Sequence, residues 1–268
     1  MTRGAITFIL LGVGCLLVGS WIGLFVAPAE RFMGDVQRIM YVHVPTAWNW
    51  MLAVLFSFGC AVAYLFTGNY KWDARLEAGL EVGTLMAFLL CCQGSIWARP
   101  TWGVWWDWDP RLTTTAVLLF AFLGILALRN FAEDPSRRAV WASVATIVAA
   151  VDLPIVYYSV RWWNSLHQTQ STPSTVSSQF HLPLRLNAIG VLLLMIGLII
   201  ARNRSEGVSG HVAMVVPETE TLRAKRVGGE VVAPLQSQAG ASNHRYATGR
   251  ANWWSGAQFA DSAFWLHA

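Results

Sequence analysis

Long uncharged apolar runs, rather than any alternation of polar and apolar residues, organise this chain. From Gly4 to Ala29 there is no charged residue, and similar stretches recur at about 47–67, 78–98, 112–129, 139–159 and 185–201. A helix crossing the hydrocarbon layer needs about 20 mostly apolar residues. Six such runs predict an all-α, polytopic membrane protein with six transmembrane helices. The connections are short, so sequence neighbours should pack antiparallel as a bundle. The first run is longer than the apolar part of a signal peptide and reads as an uncleaved helix. Asp152 lies inside the fifth run, just before Pro154. An ionisable group at such a place is a functional candidate by default, but a structural role at a proline kink is the simpler expectation than a proton relay.

The pattern stops near residue 204. Residues 205–268 are rich in Gly, Ser, Ala, Thr and Glu and show no sustained apolar period. The expected organisation is therefore a six-helix transmembrane domain over 1–204 and a disordered cytoplasmic tail over 205–268.

Composition makes lipid the necessary solvent. The chain is 55% hydrophobic and 13% charged, whereas soluble domains carry about 25% charged residues. The net charge of +4 is spread thinly between apolar runs, and no basic block points to nucleic acid. Cys15, Cys60, Cys91 and Cys92 all sit within apolar runs, with no C-x-x-C or C-x-x-C-H spacing. They read as small fillers of helix faces, and any haem bound here would not be held by thioether bonds.

Loop charges suggest the orientation. With a cytoplasmic N-terminus, the inner segments hold Arg3, Lys71, Arg75, Arg129, Arg137, Arg138, Arg202 and Arg204, against Arg31, Arg38, Arg99, Arg111, Arg161 and Arg185 outside. The balance favours both termini inside, with outer loops at about 28–46, 99–111 and 160–184. Arginine outside can itself serve a ligand that carries carboxylates.

Tryptophan is distributed unevenly. Trp48, Trp50, Trp97, Trp102, Trp105, Trp106, Trp108, Trp162 and Trp163 fall at the outer ends, whereas Trp72 and Trp141 mark the inner interface. An aromatic belt would decorate both sides. The excess makes a flat aromatic surface suited to a large planar ligand. Its densest part runs from Arg99 to Thr113, where Asp109-Pro110 signals a helix start and Gly103 permits close backbone approach. By chemistry alone this loop serves equally as an interfacial helix anchored by indoles or as a ligand platform.

Two histidines tip that balance. His43 stands before the second helix and His167 after the fifth, both in outer loops on this reading. Imidazoles from opposite sides of a cleft are what axial ligation of haem iron requires, with tryptophans over the macrocycle and arginines at its propionates. His181 is a spare candidate, and His211, His244 and His267 in the tail are assigned no role.

Trp102-Gly103-Val104-Trp105-Trp106-Asp107-Trp108-Asp109-Pro110-Arg111-Leu112-Thr113 resembles the tryptophan-rich "WWD" signature of membrane haem-handling proteins. Together with His43-Val44-Pro45 and Trp162-Trp163-Asn164-Ser165-Leu166-His167-Gln168, it resembles the haem exporter protein C family of cytochrome c maturation over residues 1 to about 201. The resemblance implies His43 and His167 as axial ligands of a non-covalent haem b. It implies a periplasmic platform that includes Trp102, Gly103, Trp105, Trp106, Trp108, Asp109, Arg111, Arg99, Trp162 and Trp163. It further implies a multi-pass protein of the bacterial inner membrane that is not an enzyme. This protein would deliver haem to a membrane-tethered haem chaperone, beside ABC transporter subunits and a small single-helix membrane subunit. The tail is longer than the family leads one to expect.

Two other readings compete. A b-type cytochrome subunit of a membrane oxidoreductase would bury its histidine pair within helices. A small-solute transporter could use Asp152 but would leave the outer tryptophans idle.

Overall fold

The computed structural model describes residues 2–132, 134–168, 171–172 and 174–207 and five short strands beyond them. Its first unit, Met1–Gly207, is helical. Helix α1 (Arg3–Trp21) ends in a π turn, Ile22–Val26. A 3-10 turn (Asp35–Ile39) leads into α2 (Met40–Thr67), and α3 spans Tyr70–Trp102 and α4 Pro110–Phe131. The fifth crossing is broken into α5 (Pro135–Ala150) and α6 (Asp152–Trp162), and α7 (His181–Gly207) closes the unit. Among the described residues six helical segments are long and apolar enough to cross a membrane, as the sequence predicts. An even number of crossings puts the two ends of the bundle on the same side.

Helix ends follow local chemistry. Thr2, Asn69, Asp109 and Asp134 accept backbone N–H bonds at the starts of α1, α3, α4 and α5, and Pro110 and Pro135 occupy first-turn positions. Gly68 (φ 62°) and Gly103 (φ 80°) terminate α2 and α3 in the left-handed conformation that a side chain disfavours. Gly103 is thus a helix stop rather than a point of close backbone approach, since a Cβ there would meet nothing within 4 Å.

The spans begin and end beyond their sequence-predicted limits, and this corrects one expectation. The outer connections shrink to 27–34, 103–109 and 163–177, and His43 lies in the first turns of α2 rather than in a loop. Pro45, inside this helix, cannot donate to the residue four back. Here the freed Tyr41 carbonyl accepts a 2.7 Å bond from Asn187 of α7, so the helix continues through the proline. The fifth span breaks at Val151–Asp152, as the Asp152-Pro154 pair suggests. Asp152 Oδ2 is nevertheless buried without a partner, so no freed backbone group stabilises it there.

The core lies between α2, α3, α4 and α5/α6, with Trp50, Leu76, Leu80, Leu118 and Phe122 almost fully buried. Large apolar side chains such as Leu10, Phe66, Phe88 and Phe120 remain exposed, as lipid-facing surfaces must be. Helices α1 and α7 meet along glycines: a Cβ on Gly12 would come within 2.8 Å of the Gly190 carbonyl. At the end of the bundle where α3 begins and α4 finishes, Arg129 is buried and bonded to both oxygens of Asp73, at 2.6 and 3.1 Å, and to Glu77. Arg202 of α7 pairs with Glu81 of α3.

The second unit, Val208–Ala268, contains strands at Val212–Val215, Lys225–Val227, Glu230–Ala233, Leu235–Ala239 and His244–Thr248, paired antiparallel in a three-stranded and a two-stranded sheet. The rest of the stretch expected to be a disordered tail lies outside the described residues.

Candidate functional site

At one end of the bundle, residues of α2, α3, α4 and α6, with His167, Ser171 and Thr172 from the connection after α6, surround a gap. Two adjoining cavities result. The first, of about 1110 Å³, is lined by His43, Trp48, Trp50, Met51, Leu90, Gly94, Trp97, Trp102, Trp106, Arg111, Thr115, Val156 and His167, among others. The second, of about 1310 Å³, is more polar, with Glu30, Met33, Gln37, Gln168, Ser171 and Thr175 in its wall. Both are bordered by His43, Val44, Trp97 and His167. The histidine pair therefore stands at the waist of one continuous cleft.

The two imidazoles face each other across that waist, with ring centroids 6.4 Å apart and planes inclined by 32°. They are supported differently. His43 rides on a rigid helix; its Nδ1 is buried without a partner, leaving Nε2 as the nitrogen open to the cleft. Gly94 of α3 supplies the space, since a Cβ there would lie 3.4 Å from the His43 ring. His167 belongs to a connection. Its Nδ1 lies 2.9 Å from the Gln168 carbonyl, and Arg111 Nη1 points at the same oxygen from 3.4 Å. Arg111 Nη1 also lies 3.2 Å from Nδ1 itself, so Nδ1 is engaged by its neighbours and Nε2 is the ring nitrogen left for a ligand. Burial, then the Arg111 guanidinium, hold the His167 pKa below the ordinary histidine value, against smaller opposing effects of the Gln168 carbonyl and Asp109. The ring is neutral at pH 7, as a ligand must be.

Arg111 is fixed by backbone carbonyls: Nε reaches Val156 at 3.4 Å and Nη2 reaches Tyr157 at 3.5 Å. It forms no ion pair with a carboxylate among the described residues, and its guanidinium stands in the cleft wall. Indoles supply the rest. Trp97 packs edge-on against Trp102 at 5.1 Å and lies 6.3 Å from the His167 ring. The Nε1 atoms of Trp50 and Trp106 are buried without acceptors. Unpaired polar atoms in a buried site call for an explanation, and here four of them, on Gln37, His43, Trp50 and Trp106, belong to residues that line these cavities.

Of the residues singled out from sequence, His43, His167, Trp102, Trp106 and Arg111 line this cleft. Trp105, Trp108, Trp162 and Trp163 are between 50% and 76% exposed and, like Gly103 and Arg99, line neither cavity. Arg99 bonds back to the Gly103 carbonyl. Asp109 is buried beneath the platform and touches backbone only. His181 bonds the Val176 carbonyl at 2.8 Å and lines neither cavity. Sequence reasoning counted Trp48, Trp50 and Trp97 only as outer tryptophans, and passed over Gly94 and Met51. Helical spacing carried the missing signal: His43, Ala47, Trp50 and Met51 share one face, as do Leu90, Gly94 and Trp97.

Known proteins supply a family for this arrangement. Residues 2–215 match the family model for Heme exporter protein C. Proteins of that name from Haemophilus influenzae and Bradyrhizobium diazoefficiens are 40% identical over 207 residues and 38% over 197. These alignments cover 75% and 69% of this chain and 81% and 73% of those proteins. The Escherichia coli protein of the same name is 35% identical over 193 residues, 71% of this chain and 78% of its own. The chain therefore belongs to the haem exporter protein C family.

Proposed function

We propose that this protein binds haem b non-covalently between His43 and His167, on the periplasmic side of the inner membrane, and passes it to a membrane-tethered haem chaperone for c-type cytochrome biogenesis. The observation that carries the reading is the spacing of the imidazoles. Two nitrogen–metal bonds of about 2 Å each, plus half of each ring, put the centroids roughly 6 Å apart, and the observed 6.4 Å leaves room for one iron. Cavities on both sides of the pair accommodate a macrocycle extending past the metal. Trp97, Trp102 and Trp106 offer apolar faces, and Arg111 offers a cation at the cleft wall for a propionate.

Haem is cargo here, so the site must hold it and let it go. His43, on a helix locked to α7, is the fixed ligand. His167 sits in a connection tied to α4 by the bonds of Leu166 to Asp109 and of Gln168 to Arg111, and its displacement would open one face of the iron to an incoming ligand. No bond-making step is required of the chain, in keeping with a transport role. The exposed side chains of Val104, Trp105, Trp108 and Trp162 are available to a partner. ABC transporter subunits and a single-helix membrane subunit are the expected neighbours within the bilayer.

The test is the absorption spectrum of purified protein. Wild type should carry a low-spin, bis-imidazole haem. His43→Ala and His167→Ala should each lose that signature, with added imidazole restoring it. A double variant with an unchanged spectrum would overturn the assignment. Reporter fusions at residues 70 and 133 should be silent in the periplasm; activity there would reverse the orientation.

A further inference from the structure

We infer that Asp109 is a positioning residue that couples the tryptophan platform to His167, an inference that rests on the axial role proposed for that histidine. Asp109 is 4% exposed and lines neither cavity, so it has no face to offer a ligand. Both of its oxygens are nevertheless occupied. Oδ1 accepts the Arg111 N–H at 2.9 Å, capping α4, and Oδ2 accepts the Leu166 N–H at 2.8 Å, one residue before His167. One carboxylate thus ties the end of the tryptophan segment, the start of α4 and the His167 connection together across 57 positions of sequence.

The geometry makes the tie specific. Trp106 lines the cleft three residues before Asp109, and Arg111, whose N–H is capped, sends its side chain to the Gln168 carbonyl that also holds His167 Nδ1. Leu166 and Gln168 are therefore both anchored to this one corner of α4, and His167 is suspended between them. Only a side chain with two acceptor oxygens and a short arm can bond both N–H groups. Asparagine retains the capping oxygen but presents an amide NH₂ where the Leu166 N–H needs an acceptor. Serine caps with its single oxygen and cannot reach Leu166 in addition.

The experiment compares detergent-purified wild type, D109N, D109S and H167A in haem content and spectrum. D109N and D109S should retain most of the haem on the platform yet lose the six-coordinate low-spin bands in favour of five-coordinate high-spin ones. Added imidazole should restore the low-spin form, as in H167A, and D109E should recover it in part without imidazole. A merely structural loss of α4 would instead lower haem content and leave the spectrum of the remaining holoprotein unchanged. If H167A alters the spectrum while D109N and D109S both keep wild-type ligation, the coupling role is overturned. If H167A itself leaves the spectrum unchanged, the axial assignment has failed, and this inference falls with it.

Discussion

The two ends of the bundle treat charge in opposite ways. At one end Arg129 is shut between Asp73 and Glu77, and Arg202 is paired with Glu81. At the other, Arg111 and Arg99 are held by neutral carbonyls, two imidazoles face a cleft, and buried indole nitrogens lack acceptors. A cation matched by carboxylates is finished business: it fixes helix against helix and has nothing left for a ligand. A cation held only by carbonyls keeps its net charge, and a neutral imidazole keeps its lone pair. The difference separates the part of the molecule built to stay closed from the part built to receive something.

Breaking the closed end should have the largest effect. Arg129→Met leaves the buried Asp73 carboxylate without the guanidinium that bonds both its oxygens, a situation that costs about 3–5 kcal/mol. Thermal unfolding in detergent should register that loss, while any protein that folds keeps a wild-type haem spectrum. The open end should respond in the reverse manner. His167→Ala should leave the unfolding temperature of the apoprotein nearly unchanged and abolish the low-spin bands; a large stability loss would show the imidazole to be structural. Within the tryptophan motif the structure divides residues that sequence treated alike. Trp106→Ala removes a wall of the cleft and should weaken haem binding by about 1–3 kcal/mol, taking stacking of a base on an aromatic ring as the guide. Trp108, 76% exposed, should tolerate alanine with unchanged haem affinity in titration, and equal losses at both positions would erase the distinction.

The smallest effect concerns protons. Because burial lowers the His167 pKa, the unfolded chain takes up a proton below about pH 6.5 that the folded chain refuses. Stability contributed at this position is complete above that value and declines as pH falls through it toward the lower folded pKa. Unfolding of the apoprotein followed from pH 7.5 to 5 should show a decline that His167→Gln makes shallower.

Much of this was legible in the sequence, for definite reasons. Six hydrophobic runs define six spans because hydrocarbon tolerates little else. His43, His167 and the tryptophan motif were identifiable because their residue types are costly or unusual at membrane depth. What escaped detection depends on tertiary context. Nothing local to His43-Val44-Pro45 shows that Asn187, 146 positions later, occupies the carbonyl that proline frees, so the helix start was set too late. The sorting of tryptophans into cleft wall and exposed surface depends on how α3 and α4 pack, which periodicity does not report. Asp109 read as one more residue of the motif because its partner at Leu166 is distant in sequence.

The bond between Asn187 and the Tyr41 carbonyl bears also on how the molecule is made. His43 enters the membrane with the second span, early in synthesis, whereas the group that secures its helix arrives with the last. Gly23 packs on Tyr41, and Asn49 donates to the Ala188 carbonyl at 3.1 Å, so the first, second and final spans close on one another at a single level. A chain without the final span would lack the Asn187 side chain that occupies the carbonyl freed by Pro45.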